Sequence, residues 1–413
     1  MHVLIIHQAF ASLDEPGGTR HYEFARLLVA RGYRVTVIAS PVSYITGETT
    51  PLHPSPTGRG AGGEGVAILR ARVYSAHHKS FFHRLIAFFS FMVSSFWIGL
   101  GVRDVDLVWG TSPPIFQGMT AWLLARLKGA RFLFEVRDLW PRFAVAAGVL
   151  RNPVLIRLSE WLERFLYRHA DRLMVNSPGF IAHIQERAGG SSSKGKRIEL
   201  IPNGADPSMF DPSERGGAFR RTHHLESKFV ALYAGAHGMS NDLDVVLDAA
   251  RLLMDEDRIQ IVLLGDGKEK PILQARAEEM GLSNLGFVAS VPKSEMPQAL
   301  AAADACIAIL KPLEEYKTTY PNKVFDYMAA GRPILLAIDG VIREVVEAAG
   351  CGVFTGPGNP SRMADAIRKL ANDPEKSRLM GMRGRAYLED HFSRDAIGER
   401  LIGLLEEMIR EQG

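Results

Sequence analysis

Residues 2–39 read HVLIIHQAFASLDEPGGTRHYEFARLLVARGYRVTVIA. HVLII at 2–6 is a short apolar run. It leads into a loop containing Asp14-Glu15-Pro16-Gly17-Gly18-Thr19-Arg20. Over residues 21–31, Phe24, Leu27 and Leu28 fall on one face at helical spacing. Gly32 stops that helix, and residues 33–39 (YRVTVIA) read as the next strand. Strand, loop, helix and strand in this order are the signature of a βαβ unit in a parallel sheet.

Working outward, the same pattern recurs. Further apolar strand candidates lie at 106–109, 131–136, 172–175 and 199–201, with helical patterns between most of them. Residues 46–65 are rich in Gly, Pro, Thr and Ser and read as a loop. Pro207, Pro212, Gly216 and Gly217 mark residues 207–227 as a linker. A second series then begins, with strands at 229–234, 259–264, 286–288, 305–309, 333–336 and 352–354, and helices such as 243–254 and 296–302. Residues 361–413 are largely helical. The expected architecture is α/β: two tandem doubly wound Rossmann-like domains with a cleft between them. The domains run over 1–212 and 213–390, with a C-terminal helix, 391–413, packing back on the first. Ligands in such folds bind at the carboxyl ends of the strands, so the cleft is the expected site.

The 413 residues suit two or three domains. Apolar residues make up 46% of the chain and charged residues 23%, which excludes global disorder, collagen and coiled coil. A net charge of +3 also excludes a generic nucleic-acid binder. The charge is unevenly placed. Residues 1–212 hold 24 basic and 16 acidic side chains, a net +8; residues 213–413 hold 25 and 30, a net −5. Cys306 and Cys351 are too few for a disulfide framework or a four-ligand zinc site, and a reducing compartment is expected. The first residues begin as a strand, and no signal peptide is read there.

Residues 85–101 (LIAFFSFMVSSFWIGLG) carry no charge and five aromatics. Lys79, His83 and Arg84 precede them and Arg103 follows. Two readings fit: a core helix of the first domain, or a helix dipping into one leaflet with basic residues at the headgroups. The string Gly58–Gly63 (GRGAGG) matches G-x-G-x-x-G but follows no strand and opens no helix, so it reads as a loop. Asp104-Val-Asp106 fits D-x-D but precedes its strand, where a carboxylate pair caps a turn.

Two segments point to chemistry. In the first βα loop, Gly17 and Gly18 let backbone N–H groups approach an anion at a helix N-terminus, although a Gly pair in a turn can be mere geometry. The second segment is Thr318-Thr319-Tyr320-Pro321-Asn322-Lys323-Val324-Phe325-Asp326-Tyr327-Met328-Ala329-Ala330-Gly331-Arg332-Pro333. Lys323 and Asp326 are three apart and share a helix face. A lysine near a helix N-terminus can neutralise a diphosphate, and a carboxylate one turn later can hold a ribose diol. A surface ion pair is the alternative.

This second segment strongly resembles the donor-site helix of retaining glycosyltransferases of family 4, which have the two-domain GT-B fold. Leu264-Gly265-Asp266-Gly267 resembles that family's nucleotide-domain turn. Leu200-Ile201-Pro202-Asn203-Gly204-Ala205-Asp206, Asn176-Ser177-Pro178-Gly179 and Ala302-Ala303-Asp304 also fit. Glu135-Val136-Arg137-Asp138-Leu139-Trp140-Pro141 and Tyr233-Ala234-Gly235-Ala236-His237-Gly238 resemble the L-fucosamine transferase-like subgroup of bacterial surface-polysaccharide assembly. The chain departs from the family where an acidic pair is usual: Thr318 stands at the first position and Asp326 at the second.

The resemblance implies a hexosyltransferase that moves a sugar, with retention, from a nucleotide-sugar, a UDP-hexose or UDP-N-acetylhexosamine, to a polyprenyl-diphosphate-linked or saccharide acceptor. Asp138, Arg137 and Glu135 are the expected catalytic group on the acceptor side, with a buried Glu135 as the alternative. Gly17, Gly18, Thr19, His237, Thr318, Thr319, Asn322 and Lys323 are the expected phosphate and sugar contacts. Asp326 is assigned to the ribose, and Gly265, Asp266 and Gly267 to the nucleotide-domain loop. No metal or other cofactor is expected, since no ligand cluster is evident. The basic first half suggests peripheral attachment at the inner face of a membrane through residues 79–103, from the cytoplasm. A non-hydrolysing UDP-sugar epimerase and a non-catalytic sugar-nucleotide-binding subunit are the competing classes.

Overall fold

A computed structural model describes residues 1–15, 17–42, 65–74, 81–189 and 197–411. The G-x-G-x-x-G string, most of the 46–65 loop, Pro16 and Lys79 lie outside them. The chain is α/β and divides into two units, residues 1–202 with 397–413, and residues 203–396.

The first unit is built on a parallel sheet of seven strands: β1 (His2–Ile6), β2 (Arg34–Ala39), β3 (Val66–Arg70), β4 (Leu107–Ser112), β5 (Arg131–Val136), β6 (Arg172–Val175) and β7 (Ile198–Leu200). Their order is β3-β2-β1-β4-β5-β6-β7, so the order reverses beside β1. Ile5 registers with Val37 on one side and Trp109 on the other. β1 and β4 are buried at every residue, as expected of parallel strands covered on both faces. β3 was not anticipated. The first unit also takes up the C-terminal helix Arg394–Arg410 from Ile397 onward. Glu399 pairs with Arg31, Glu406 accepts from Tyr33 at 2.5 Å, and Gly398 lies against Leu27.

The second unit holds β8 (Phe229–Ala234), β9 (Ile259–Leu264), β10 (Leu285–Val288), β11 (Ala305–Ile309), β12 (Ile334–Ala337) and β13 (Gly352–Phe354). This sheet is parallel in the order β10-β9-β8-β11-β12-β13, reversing beside β8. Val230 and Leu232 feed one core, and Ala231 and Tyr233 the other, following the two-residue pleat.

The boundary expected at 212 falls instead at Pro202. Much of the expected linker is ordered on the second unit. Phe210 and Leu225 are buried, and Arg220 Nη2 donates to Asp304 Oδ2 at 2.7 Å. Gly216 packs so closely on the helix Met296–Ala301 that a Cβ there would lie 2.4 Å from the amide nitrogen of Ala302. Proline and glycine here mark close backbone approach and not a free tether.

The helix Phe81–Gly101 divides its apolar surface between two tasks. Ala87 and Phe91 are buried in the first unit's core, whereas Phe89, Val93 and Trp97 form a solvent-facing stripe, Trp97 being 68% exposed. No described helix is long and apolar enough to cross a membrane. Asp106 sits just before β4, where its carboxylate accepts the His2 N–H at 2.6 Å; the role is structural, but it ties β4 to the neighbouring strand β1 and does not cap a turn.

Candidate active site

In the second unit the candidate residues gather at the carboxyl ends of β8 and β9. The loops that follow these strands interlock through their backbones. His237 N–H donates to Asp266 O at 2.7 Å, and Glu269 N–H returns to His237 O at 3.0 Å. Gly265 and Gly267 have φ of +146° and +152°. A Cβ on Gly265 would lie 1.8 Å from Gly235 O, and one on Gly267 would lie 2.3 Å from His237 O. No side chain fits either position, so Leu264-Gly265-Asp266-Gly267 serves backbone approach. Asp266 spends one carboxylate oxygen on the Gly267 N–H, at 2.8 Å.

The helix Asn322–Ala329 is fixed to this edge by Tyr327. The tyrosine hydroxyl accepts from Ala234 N–H at 3.0 Å and faces the carbonyls of Ala234 and Ile307 at 3.2 and 3.3 Å. It therefore bridges the ends of β8 and β11, where the strand order reverses. One turn earlier, Lys323 is carried over the same loop. Its Nζ stands 3.9 Å from the Tyr233 ring centroid and 3.5 Å from Asn241 Oδ1, and a Cβ on Gly235 would lie 2.9 Å from it. Burial brings the Lys323 ammonium down to about 7. The lysine thus lies over a glycine backbone and pairs with no carboxylate among the described residues, an arrangement suited to an incoming anion.

Asp326 is not a surface ion pair. Its Oδ1 accepts from Lys293 Nζ at 2.6 Å, and Lys293 is only 8% exposed. Asn322 Nδ2 lies 3.5 Å from Oδ2. The sequence reading missed Lys293, and nothing in its local pattern (VPKSE) marks it. Thr318 and Thr319 are turned inward on their own short helix, their hydroxyls donating to Glu315 O and Tyr316 O at 2.6 and 2.8 Å. His237 corrects an expectation. Its side chain is fully buried and both ring nitrogens lack a partner. Burial, with Lys270 nearby, lowers its pKa to about 4 and keeps the ring neutral. The imidazole therefore brings no positive charge to an anion here, which leaves Lys323 and backbone N–H groups.

In the first unit, Glu135 also departs from the expected role. It is fully buried on β5. Arg20 Nε donates to Oε1 at 3.0 Å, and His21 Nε2 and Trp109 Nε1 donate to Oε2 at 2.6 and 3.1 Å. Burial alone would push this carboxyl up; His21 and Arg20 outweigh it and hold it well below the usual carboxylate range. Burial also brings His21 down to about 4 against the pull of Glu135, and its buried Nδ1 has no partner, as befits a neutral ring. The charge partner is therefore Arg20, and Glu135 has no surface to offer an acceptor. Arg20 also grips the carbonyls of Ile201 and Pro202, each at 2.6 Å.

Next to this cluster, the first βα loop is divided. Gly17 and Gly18 are exposed, but Thr19 is buried with its hydroxyl donated to Glu23, so Thr19 does not join the phosphate contacts. After β5, Arg137 Nη1 donates to His7 Nε2 at 3.3 Å. That fixes the His7 proton on Nδ1, which faces Thr111 Oγ1 at 2.8 Å. Burial holds His7 well below its ordinary pKa. Asp138 is half-buried, and burial raises its pKa to about 6 against the opposing pull of Arg137.

Comparison with known proteins bears on the fold and the family. Residues 17–204 match a family model described as a glycosyl transferase 4-like domain, and residues 228–373 match one described as glycosyl transferases group 1. The chain is 26% identical over 315 residues to the probable glycosyltransferase WbjE of Pseudomonas aeruginosa, covering 75% of this chain and 76% of that protein. It is 24% identical over 392 residues to the putative colanic acid biosynthesis glycosyl transferase WcaI of Escherichia coli K12, covering 92% and 93%. The fold matches Anabaena HepE in complex with UDP and glucose, with a TM-score of 0.73 at 16% identity over 98% of this chain and all of that one. Two matched transferase domains on two parallel Rossmann-like sheets place the chain among the GT-B glycosyltransferases.

Proposed function

We propose that the enzyme moves a sugar from a UDP-type nucleotide-sugar, with retention, to a polyprenyl-diphosphate-linked or saccharide acceptor in surface-polysaccharide assembly. Lys323 carries this reading: a half-buried ammonium beside the Gly235 backbone at a strand-order reversal. Departure of the diphosphate from an oxocarbenium-like centre is the main barrier, and preorganised positive charge with N–H donors lowers it. Lys323 and the backbone after β8 serve the diphosphate. Asn322 stands at the start of the Lys323 helix and serves the same region. Asp326, held by Lys293, takes the ribose. WcaI, named for colanic acid biosynthesis, supports the pathway class, and the Glu135–Pro141 and Tyr233–Gly238 stretches support the L-fucosamine transferase-like subgroup. The exposed stripe of Phe89, Val93 and Trp97 supports peripheral attachment to the inner face of a membrane.

Calorimetric titration with UDP tests the donor half. Asp326→Ala is expected to weaken UDP binding about 10- to 100-fold, the worth of a charge-assisted hydrogen bond. An unchanged affinity would remove Asp326 from the ribose.

Asp138 is the proposed base or orienting group for the acceptor hydroxyl. A group of pKa about 6 that acts as its anion gives a rate that falls as pH drops below about 6. Asp138→Asn is expected to abolish this acid limb and to slow turnover roughly 10²- to 10⁴-fold. A variant that keeps the limb shows another group to be titrating.

A further inference from the structure

A run of hydrogen bonds crosses the carboxyl ends of three neighbouring strands in the first unit, and no assigned role uses it. His7 follows β1, Thr111 belongs to β4 and Arg137 follows β5. Gln117 joins them from the helix Phe116–Lys128. His7, Thr111 and Gln117 are all buried. Gln117 Oε1 accepts the Gln8 N–H at 2.7 Å, which leaves its Nε2 to donate to Thr111 Oγ1 at 2.8 Å and to Pro113 O at 3.2 Å. Thr111 Oγ1 also takes the His7 Nδ1 proton at 2.8 Å, and His7 Nε2 accepts from Arg137 Nη1 at 3.3 Å. An arginine can only donate, so the run is directed from both ends. Burial, His21 stacked at 4.0 Å and Arg137 all oppose a second proton on His7.

The partner at the end of the run is the informative one. An imidazole nitrogen orients a guanidinium but brings no negative charge to it. Among the described residues, Arg137 pairs with no carboxylate. Glu135 is spent on Arg20, His21 and Trp109, and Asp138 feels the Arg137 charge without forming an ion pair. Arg137 is half-buried, and its Nε is buried without a partner. A guanidinium in that position without an anion is a cost to the folded state. It stands at the carboxyl ends of parallel strands, where ligands of this architecture bind. We infer that His7 is the positioning residue of an oxyanion site: its acceptor nitrogen aims Arg137 without neutralising it, which leaves the charge for a phosphate or carboxylate of the substrate. The inference rests on the transferase reading for what carries the oxyanion but not for its test.

The first measurement needs no variant: the nitrogen NMR spectrum of the His7 ring at neutral pH in the full chain. A proton on Nδ1 and none on Nε2 is expected, and the reverse tautomer or an imidazolium overturns the inference. The second is titration with inorganic phosphate and with glucuronate, followed at the Arg137 Nε–H signal. At least one is expected to shift that signal, and which one does so tells a phosphate source from a carboxylate source. No shift with either overturns the site. His7→Leu removes the acceptor and is expected to weaken the anion about tenfold, the worth of one hydrogen bond to a charged group. His7→Gln, whose amide oxygen can serve Arg137, is expected to recover most of that loss. His7→Glu supplies the missing carboxylate and is expected to abolish anion binding. Equal affinities in the leucine and glutamine variants, or a glutamate variant that binds like the parent, reduce the imidazole to packing and overturn the positioning role. UDP binding measured in parallel separates the readings, since its absence removes the donor proposal and leaves the Arg137 result standing.

Discussion

Lys323→Met is expected to lower turnover roughly 10²- to 10³-fold, the cost of removing one donor from a developing anion, while raising the melting temperature of the second unit. The two effects share a cause. Burial disfavours the ammonium and brings its pKa from the ordinary lysine value down to about 7. A lysine with a lowered folded pKa burdens the folded state fully below about pH 7. The burden fades as pH rises from there toward the unfolded value near 10.4. Methionine removes it, so the stability gain is largest in acid and vanishes at high pH. Donor affinity has a related limb. It is full below about 7 and weakens above, as the donor-free enzyme loses the proton that the diphosphate needs. Thermal melts and UDP titrations across pH 6–10 check both limbs. A variant that is less stable than the parent at pH 6 contradicts the account.

Glu135→Ala is expected to destabilise the first unit by about 3–5 kcal/mol, because it strands the Arg20 guanidinium in a closed interior. Glu135→Gln keeps acceptor geometry for Arg20 but leaves its charge uncompensated, and is expected to cost less than the alanine. Since the folded pKa of Glu135 is depressed, its contribution is present above the unfolded carboxyl value near 4.3 and is lost as pH falls below it. Urea unfolding followed separately for each unit gives the measurement, since two units do not promise a single transition. A loss below about 1 kcal/mol, the range of exposed pairs, would mean that water reaches Arg20.

The parallel sheets were legible because buried parallel strands are continuous apolar runs, such as HVLII and FVALYA. β3 escaped because it is a short edge strand directly behind a Gly- and Pro-rich stretch, with four of its five residues only half-buried. Lys323 and Asp326 could be read together because helical spacing is a local property. The Lys293–Asp326 pair spans 33 positions and leaves no local pattern. Glu135 did carry a signal: a carboxylate inside RFLFEV, on a strand covered on both faces, must find an internal partner. The partners themselves, Arg20 and His21, sit on a helix more than a hundred residues away and are brought to β5 only by the sheet order.

The discontinuity of the first unit bears on how the protein is made. Residues 203–396 are contiguous and can close their sheet as they leave the ribosome. The first unit starts earlier but finishes later. Arg31, Tyr33, Arg172 and Arg197 wait for Glu399, Glu406, Glu411 and Glu407, and Leu27 for Gly398. Until that helix is synthesised, a seam of the amino-terminal unit stays open although the second unit is complete. Nascent chains stalled before residue 397 should therefore offer chaperones and proteases the part translated first, and the earliest residues are the last to be sealed.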